Sequence, residues 1–151
     1  MHGSKRMLLI AVLFLLFFSC TSYAAQNIAS LRKAAERGDT NAQIQLGLAY
    51  ENGTGVKRNY QEAVKWYRKA AEQDDVTAQR LLGICFYKGR GVKKNYQRAA
   101  EWLRKSLNHD SFALDDDKDY KKAEKFFADK NYQKAAQLYQ HIWQEWEDMT
   151  M

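Results

Sequence analysis

Proline is absent from the 151 residues, so no ring-locked residue interrupts a helical segment. Cysteine occurs only at positions 20 and 85. Once the first 24 residues are removed, Cys85 stands alone. That excludes an intramolecular disulfide and leaves packing to hold the fold. Histidine is scarce, and His109 and His141 stand in no metal-ligand spacing. No Gly-x-Ser-x-Gly elbow and no phosphate-cradling glycine loop is present. The chain therefore reads as a non-enzyme with no cofactor, metal or small-molecule substrate. Hydrolysis of a cell-wall component is the least strained catalytic alternative.

Long hydrophobic runs are also missing. The longest, Met7–Phe18, falls short of the ~18–20 residues that span a bilayer. It follows Lys5 and Arg6 and precedes Ser22-Tyr23-Ala24, which offers small residues at the −3 and −1 positions. This is the pattern of a signal peptide, residues 1–24, with cleavage before Ala25 and a periplasmic or secreted product. Two other readings stay open: an uncleaved anchor, or a lipoprotein attached at Cys20, although Phe17-Phe18-Ser19 is a poor lipoprotein box. Membrane association enters only through that lipid. Losing Lys5 and Arg6 lowers the net charge from +6 to +4. So mild an excess, behind an export signal, argues against nucleic acid.

What the chain has is an echo. Residues 39–72 and 75–108 align at an offset of 36 with 16 identities in 34 pairs. The agreement includes Gly53/Gly89, Gly55/Gly91, Asn59/Asn95, Ala63/Ala99 and Trp66/Trp102. The same offset links Lys33-Ala34-Ala35-Glu36 to residues 69–72, and Asn131-Tyr132-Gln133 to residues 95–97. A fixed period of this size marks an array whose units bury their apolar faces only by stacking. Such stacks expose long surfaces and bind partners more often than they carry chemistry.

One unit reads as helix–loop–helix. Ala42, Leu46, Gly47 and Tyr50 share one helical face. Gly53-Thr54-Gly55-Val56 stops that helix, and Asn59 is placed to cap the next. Tyr60, Ala63, Val64, Trp66, Tyr67 and Ala70 then form a broad apolar band. Cys85 takes the position of Ala49, as a small packing residue.

The predicted organisation is all-α: a signal peptide (1–24), a leading half-repeat helix (25–38), repeat one (39–74), repeat two (75–109), and a final segment (110–151). That last segment opens with the carboxylates of Asp110, Asp115, Asp116, Asp117 and Asp119. They lack the EF-hand spacing and its glycine and read as an acidic linker favouring the positive start of a helix near Lys118. Two helices joined tightly at Lys130-Asn131 follow. The last carries Leu138, Tyr139, Ile142, Trp143 and Trp146, more apolar surface than a terminal cap needs.

These residues resemble the Sel-1-like repeat family, a branch of the tetratricopeptide-type solenoids. The first unit supplies Ala42-Gln43, Leu46-Gly47, Tyr50, Gly53, Gly55-Val56, Ala63, Trp66-Tyr67 and Lys69-Ala70-Ala71. The second supplies Ala78-Gln79, Leu82-Gly83, Phe86, Gly89, Gly91-Val92, Ala99, Trp102 and Lys105. The likeness covers about residues 33–108; beyond it the chain is similar to an ordinary tetratricopeptide repeat. The resemblance implies a right-handed α/α solenoid and a protein–protein interaction adaptor or scaffold in the bacterial envelope. Small exported members also resemble immunity proteins that neutralise a toxic effector, a second role the resemblance permits. The paired cysteines of some relatives are missing here.

In such solenoids the first helices line the concave surface. The stripe left over from packing there is Asn41, Ile44, Leu48, Glu51 and Asn52 in one unit, and Thr77, Arg80, Ile84, Tyr87 and Lys88 in the next. Lys118, Lys121 and Lys125 continue it in the third. The copies agree at packing positions and differ along this stripe. Its basic character grows toward the C-terminal end, so the expected occupant is an acidic peptide or loop of another protein.

Overall fold

The computed structural model describes residues 27–107 and 117–150. The signal segment with Cys20, His109 and most of the acidic linker lie outside the described residues. Seven helices and no strand occur among the described residues. They are α1 (27–36), α2 (Thr40–Asn52), α3 (Tyr60–Ala71), α4 (Val76–Lys88), α5 (Tyr96–Leu107), α6 (Lys118–Ala128) and α7 (Tyr132–Thr150).

Local chemistry sets the helix limits. Asp39 and Asp75 accept from the amides of Ala42 and Ala78 at 2.9 and 2.8 Å, capping α2 and α4. Asn59 and Asn95 do the same for α3 and α5. Gly53 and Gly89 end α2 and α4 in the left-handed region, at φ 76° and 70°. Each loop then closes the same way. The Asn59 amide donates to the Tyr50 carbonyl at 2.8 Å, and the Asn95 amide to that of Phe86 at 3.0 Å.

Packing within a unit depends on missing side chains. A Cβ on Gly47 would collide with the Tyr67 ring, and one on Gly83 would lie 2.7 Å from Leu103 Cγ. Both partners are fully buried. Between units, α3 packs on α4. The buried Gln43 and Gln79 bind across these joints, donating from Nε2 to the carbonyls of Ala35 (3.0 Å) and Ala71 (3.4 Å). Each adds a second donor to a carbonyl at the end of the preceding helix, which also accepts the amide of Gly38 or Asp74 at 3.1 Å. This is the physical content of the repeated Ala-Gln pair.

The third helix pair joins differently. Its second helix, α7, packs along α5, the second helix of the unit before. Tyr139 and Ile142 are fully buried, and the Trp143 indole N–H donates to Ser106 Oγ at 2.7 Å. Leu138, Trp143 and Trp146 pack against the same core. The aromatic surplus of α7 is therefore spent on closing the stack. Among the described residues only Leu48 and Met149 are large exposed hydrophobics.

Gly91 makes the tightest contact between units. Its φ is +69°, and a Cβ there would stand 2.8 Å from the Gln61 amide nitrogen and closer still to the Tyr60 carbonyl. Gly38 has a similar need for positive φ (+97°) but no neighbour within 4 Å. Gly38→Ala should cost about 1 kcal/mol through backbone strain alone. Gly91→Ala should cost at least about 2 kcal/mol more, because backbone cannot move aside. Urea denaturation of the two variants reads the difference.

Candidate protein-docking surfaces

The predicted first-helix stripe is only partly a surface. Asn41, Leu48, Asn52, Thr77 and Lys88 are exposed, while Glu51, Arg80, Ile84 and Tyr87 are half-buried. Ile44 is not on the surface at all: it is 8% exposed and belongs to the core with Val64, Tyr67 and Leu82. The reason is that α2 is buried on two sides. Ala42 and Leu46 pack with Ala35 and Trp66, and Ile44 packs with the main core. The apolar arc is therefore wider than Leu46, Gly47 and Tyr50 suggest.

The charges of the stripe are also engaged. Arg80 Nη2 lies 2.7 Å from Glu147 Oε1 of α7, and its guanidinium sits 5.4 Å from the Trp143 ring centre. Glu51 accepts the Tyr67 hydroxyl at 2.7 Å and pairs with Arg90 at 3.1 Å. Tyr87 meets Tyr96 edge to face. Lys118, Lys121 and Lys125 are exposed on α6, but the helix that meets Arg80 is α7. The basic line imagined from Arg80 into the α6 lysines is broken at that point. Positions 44 and 80 differ between the copies because one faces core and the other faces α7, not because both are free to vary.

Buried polar chemistry here is structural. Burial, with Glu51 nearby, pushes the Cys85 thiol up to about 12. Burial and the bond to Glu51 likewise raise Tyr67. Tyr139 is raised by burial and by its 2.6 Å bond to Glu124. Neither the thiol nor these phenols ionises near neutral pH, and all three are buried. One grouping invisible in sequence spacing is Asp119, His141 and Glu145, whose donor atoms lie within 4.8 Å of one another. His141 and Glu145 are exposed and only one turn apart, an open arrangement with no buried ligand.

A different surface emerges on the side of the second helices. Two adjoining cavities of about 330 and 400 Å³ share Arg68, Phe86 and Arg98. Glu101, Trp102 and Lys105 complete one; Val92, Lys93, Lys94 and Asn95 complete the other. Arg68 and Arg98 both lie over the Phe86 ring, at 6.0 and 5.6 Å. Sequence reasoning missed this hollow because it treated the second helices as packing elements. The signal was present: Arg32, Arg68 and Arg104 stand 36 residues apart.

The geometry defines an α/α solenoid of stacked helix pairs whose ends and loops are built alike. The Sel1 repeat model matches residues 40–75, 76–111 and 125–140, more than half of the chain, and the protein belongs to that family. Proteins with Sel1 repeats generally mediate protein–protein interaction. Among crystal structures, a Sel1 repeat protein from Oxalobacter formigenes is 45% identical, with a TM-score of 0.55 over 58% of this chain and 36% of that one. A protective antigen of uropathogenic Escherichia coli strains with an SLR fold is 39% identical (TM-score 0.56, 58% of this chain, 19% of that one). Helicobacter pylori cysteine-rich protein B is 34% identical (TM-score 0.53, 56% and 64%). A putative sel1-like repeat-containing protein of Acanthamoeba polyphaga mimivirus is 35% identical over 52 residues, 34% of this chain and 10% of the relative. The chain thus spans a tenth to under two thirds of the length of these proteins.

Two outcomes follow from the placements. Arg80→Glu should lower stability by about 1–2 kcal/mol, since it replaces an attractive pair with a repulsive one beside Glu147. Lys88→Glu should change it by less than about 0.5 kcal/mol; thermal denaturation compares them. For Cys85, the folded thiol keeps its proton to about pH 12, whereas an unfolded thiol loses it near ~8.5. The thiol's contribution to stability is therefore constant below ~8.5 and declines as pH rises above it. At pH 8 iodoacetamide should leave Cys85 unmodified in the native protein and alkylate it fully in urea, as read by peptide mass mapping.

Proposed function

We propose that this chain is an exported protein-interaction module of the bacterial envelope, an adaptor that holds another protein against its solenoid surface. Export is supported by the Lys5-Arg6, Met7–Phe18 and Ser22-Tyr23-Ala24 pattern. The observation that carries the interaction reading is unspent charge. Arg68, Lys93, Lys94 and Arg98 line one continuous hollow, and none has a carboxylate within ion-pairing distance among the described residues. Arg80, Arg90 and Arg104, by contrast, are paired internally. A cluster of like charge left unpaired favours an oppositely charged partner and speeds the encounter with it.

The test is to express the full chain in a bacterial host, fractionate the cells and crosslink the envelope. The expected result is a product beginning at Ala25 in the periplasmic fraction, crosslinked to a defined protein. A lipid-modified Cys20 would instead make it a lipoprotein. An unprocessed chain confined to the cytoplasm would overturn the export reading, and a monomer with no crosslinked partner would overturn the adaptor reading. A toxic enzyme as the partner would turn adaptor into inhibitor.

A further inference from the structure

The hollow at Arg68 is one member of a series. In the unit before it, Tyr50, Val56, Lys57, Arg58, Asn59 and Glu62 line a cavity of about 480 Å³. Each stands 36 residues before its counterpart: Phe86, Val92, Lys93, Lys94, Asn95 and Arg98. Arg32, the counterpart of Arg68, donates to the Tyr50 hydroxyl there. In the unit after it, Arg104 lies 5.0 Å over Phe127 and pairs with Glu124 at 2.7 Å.

The charges separate the three. The first carries Glu62 where the second has Arg98, and Glu62 pairs with Lys65; Arg32 is held by a tyrosine hydroxyl, and Arg58 lies over a different ring, Tyr60. The third has its arginine neutralised by Glu124, which also accepts from Tyr139. Only in the middle do two guanidiniums share an apolar floor with no carboxylate bound to either among the described residues. Both guanidiniums lie near the Phe86 ring and line the cavity, and a guanidinium fork is suited to bidentate carboxylate recognition.

Resting on the adaptor reading, we propose that this middle hollow docks an acidic peptide segment of the partner protein. Two carboxylates of the segment pair with Arg68 and Arg98. Lys93 and Lys94 extend the positive field along the chain path. An apolar side chain between the carboxylates lies against Trp102. A continuous phosphate backbone fits less well. Glu101 stands within the hollow, and Lys105 at its edge is already held by Asp74 at 2.7 Å. Glu101 repels any anion set beside it, which an unbroken run of phosphates cannot avoid, whereas a peptide can place a backbone amide or a lysine there between its carboxylates.

The experiment uses fluorescein-labelled peptides in which glutamates flank a central leucine or tryptophan, with lysine-for-glutamate versions as controls. Anisotropy is measured against the folded protein, Arg68→Glu/Arg98→Glu, Lys93→Glu/Lys94→Glu and Lys121→Glu/Lys125→Glu. Circular dichroism confirms folding, and the exposed-loop pair Lys93/Lys94 stands in if the arginine variant does not fold. Expected is binding of an acidic peptide that weakens at least about tenfold in either hollow variant and less than about twofold in the α6 variant. Equal loss in all three variants, or no binding of any acidic peptide, overturns the proposal. So does tighter binding to phosphatidylglycerol vesicles or a duplex oligonucleotide. If the crosslinked envelope partner is retained equally by wild type and the hollow variants, the site is wrong while the adaptor reading stands. If neither captures a partner, the adaptor reading itself fails.

Discussion

The ring of Tyr67 occupies the space that a methyl group on residue 47 would need, and that interpenetration fixes how close α2 and α3 can come. Leu103 does the same over Gly83 for α4 and α5. With the helices so close, the Gly53 and Gly89 turns reverse the chain and one amide closes each loop onto the helix before it. The close pair then leaves a broad apolar surface on α3 that α4 covers on one side. The chain lacks a disulfide among the described residues, its one described cysteine being free. Interdigitation of this kind, worth several kcal/mol when a large buried side chain is lost, acts with the interhelical hydrogen bonds in its place.

The third pair shows how such an array stops. Ala123 and Ala136 are fully buried where α6, α7 and α5 meet, so small residues again permit close approach. Yet α7 lies along α5, and its far end reaches α4 through Trp143 and Glu147. One helix thus covers the apolar face of the second unit and consumes the charge of Arg80. A terminal helix rich in tryptophan is usually suspected of seeking a partner; here its partner is the preceding unit.

Much of this was legible in the residues. The Asn59 cap, the glycine turns and the helix pairs follow from side-chain chemistry that acts within a few positions. The stripe was not legible, because exposure depends on what lies across the gap. Ile44 and Arg80 hold equivalent positions, yet one meets the core and the other meets α7. Nor could spacing show that Asp119 comes beside His141, or that Arg98 reaches the Phe86 ring from the next helix. The identity of Arg68 and Arg104 was visible at once. What it meant required knowing which of them has a carboxylate opposite.

That carboxylate is Glu124, and its position has a consequence for how arrays of this kind evolve. Duplication copies an arginine on a phenyl ring along with everything else in the unit. A single acidic residue on the helix that follows then decides whether the copied guanidinium stays open to solvent or becomes an ion pair between units. Lengthening the array does not by itself multiply its unpaired guanidiniums. Because Glu124 also accepts from the buried Tyr139, the residue that neutralises the arginine is at the same time part of the packing of the last helix pair.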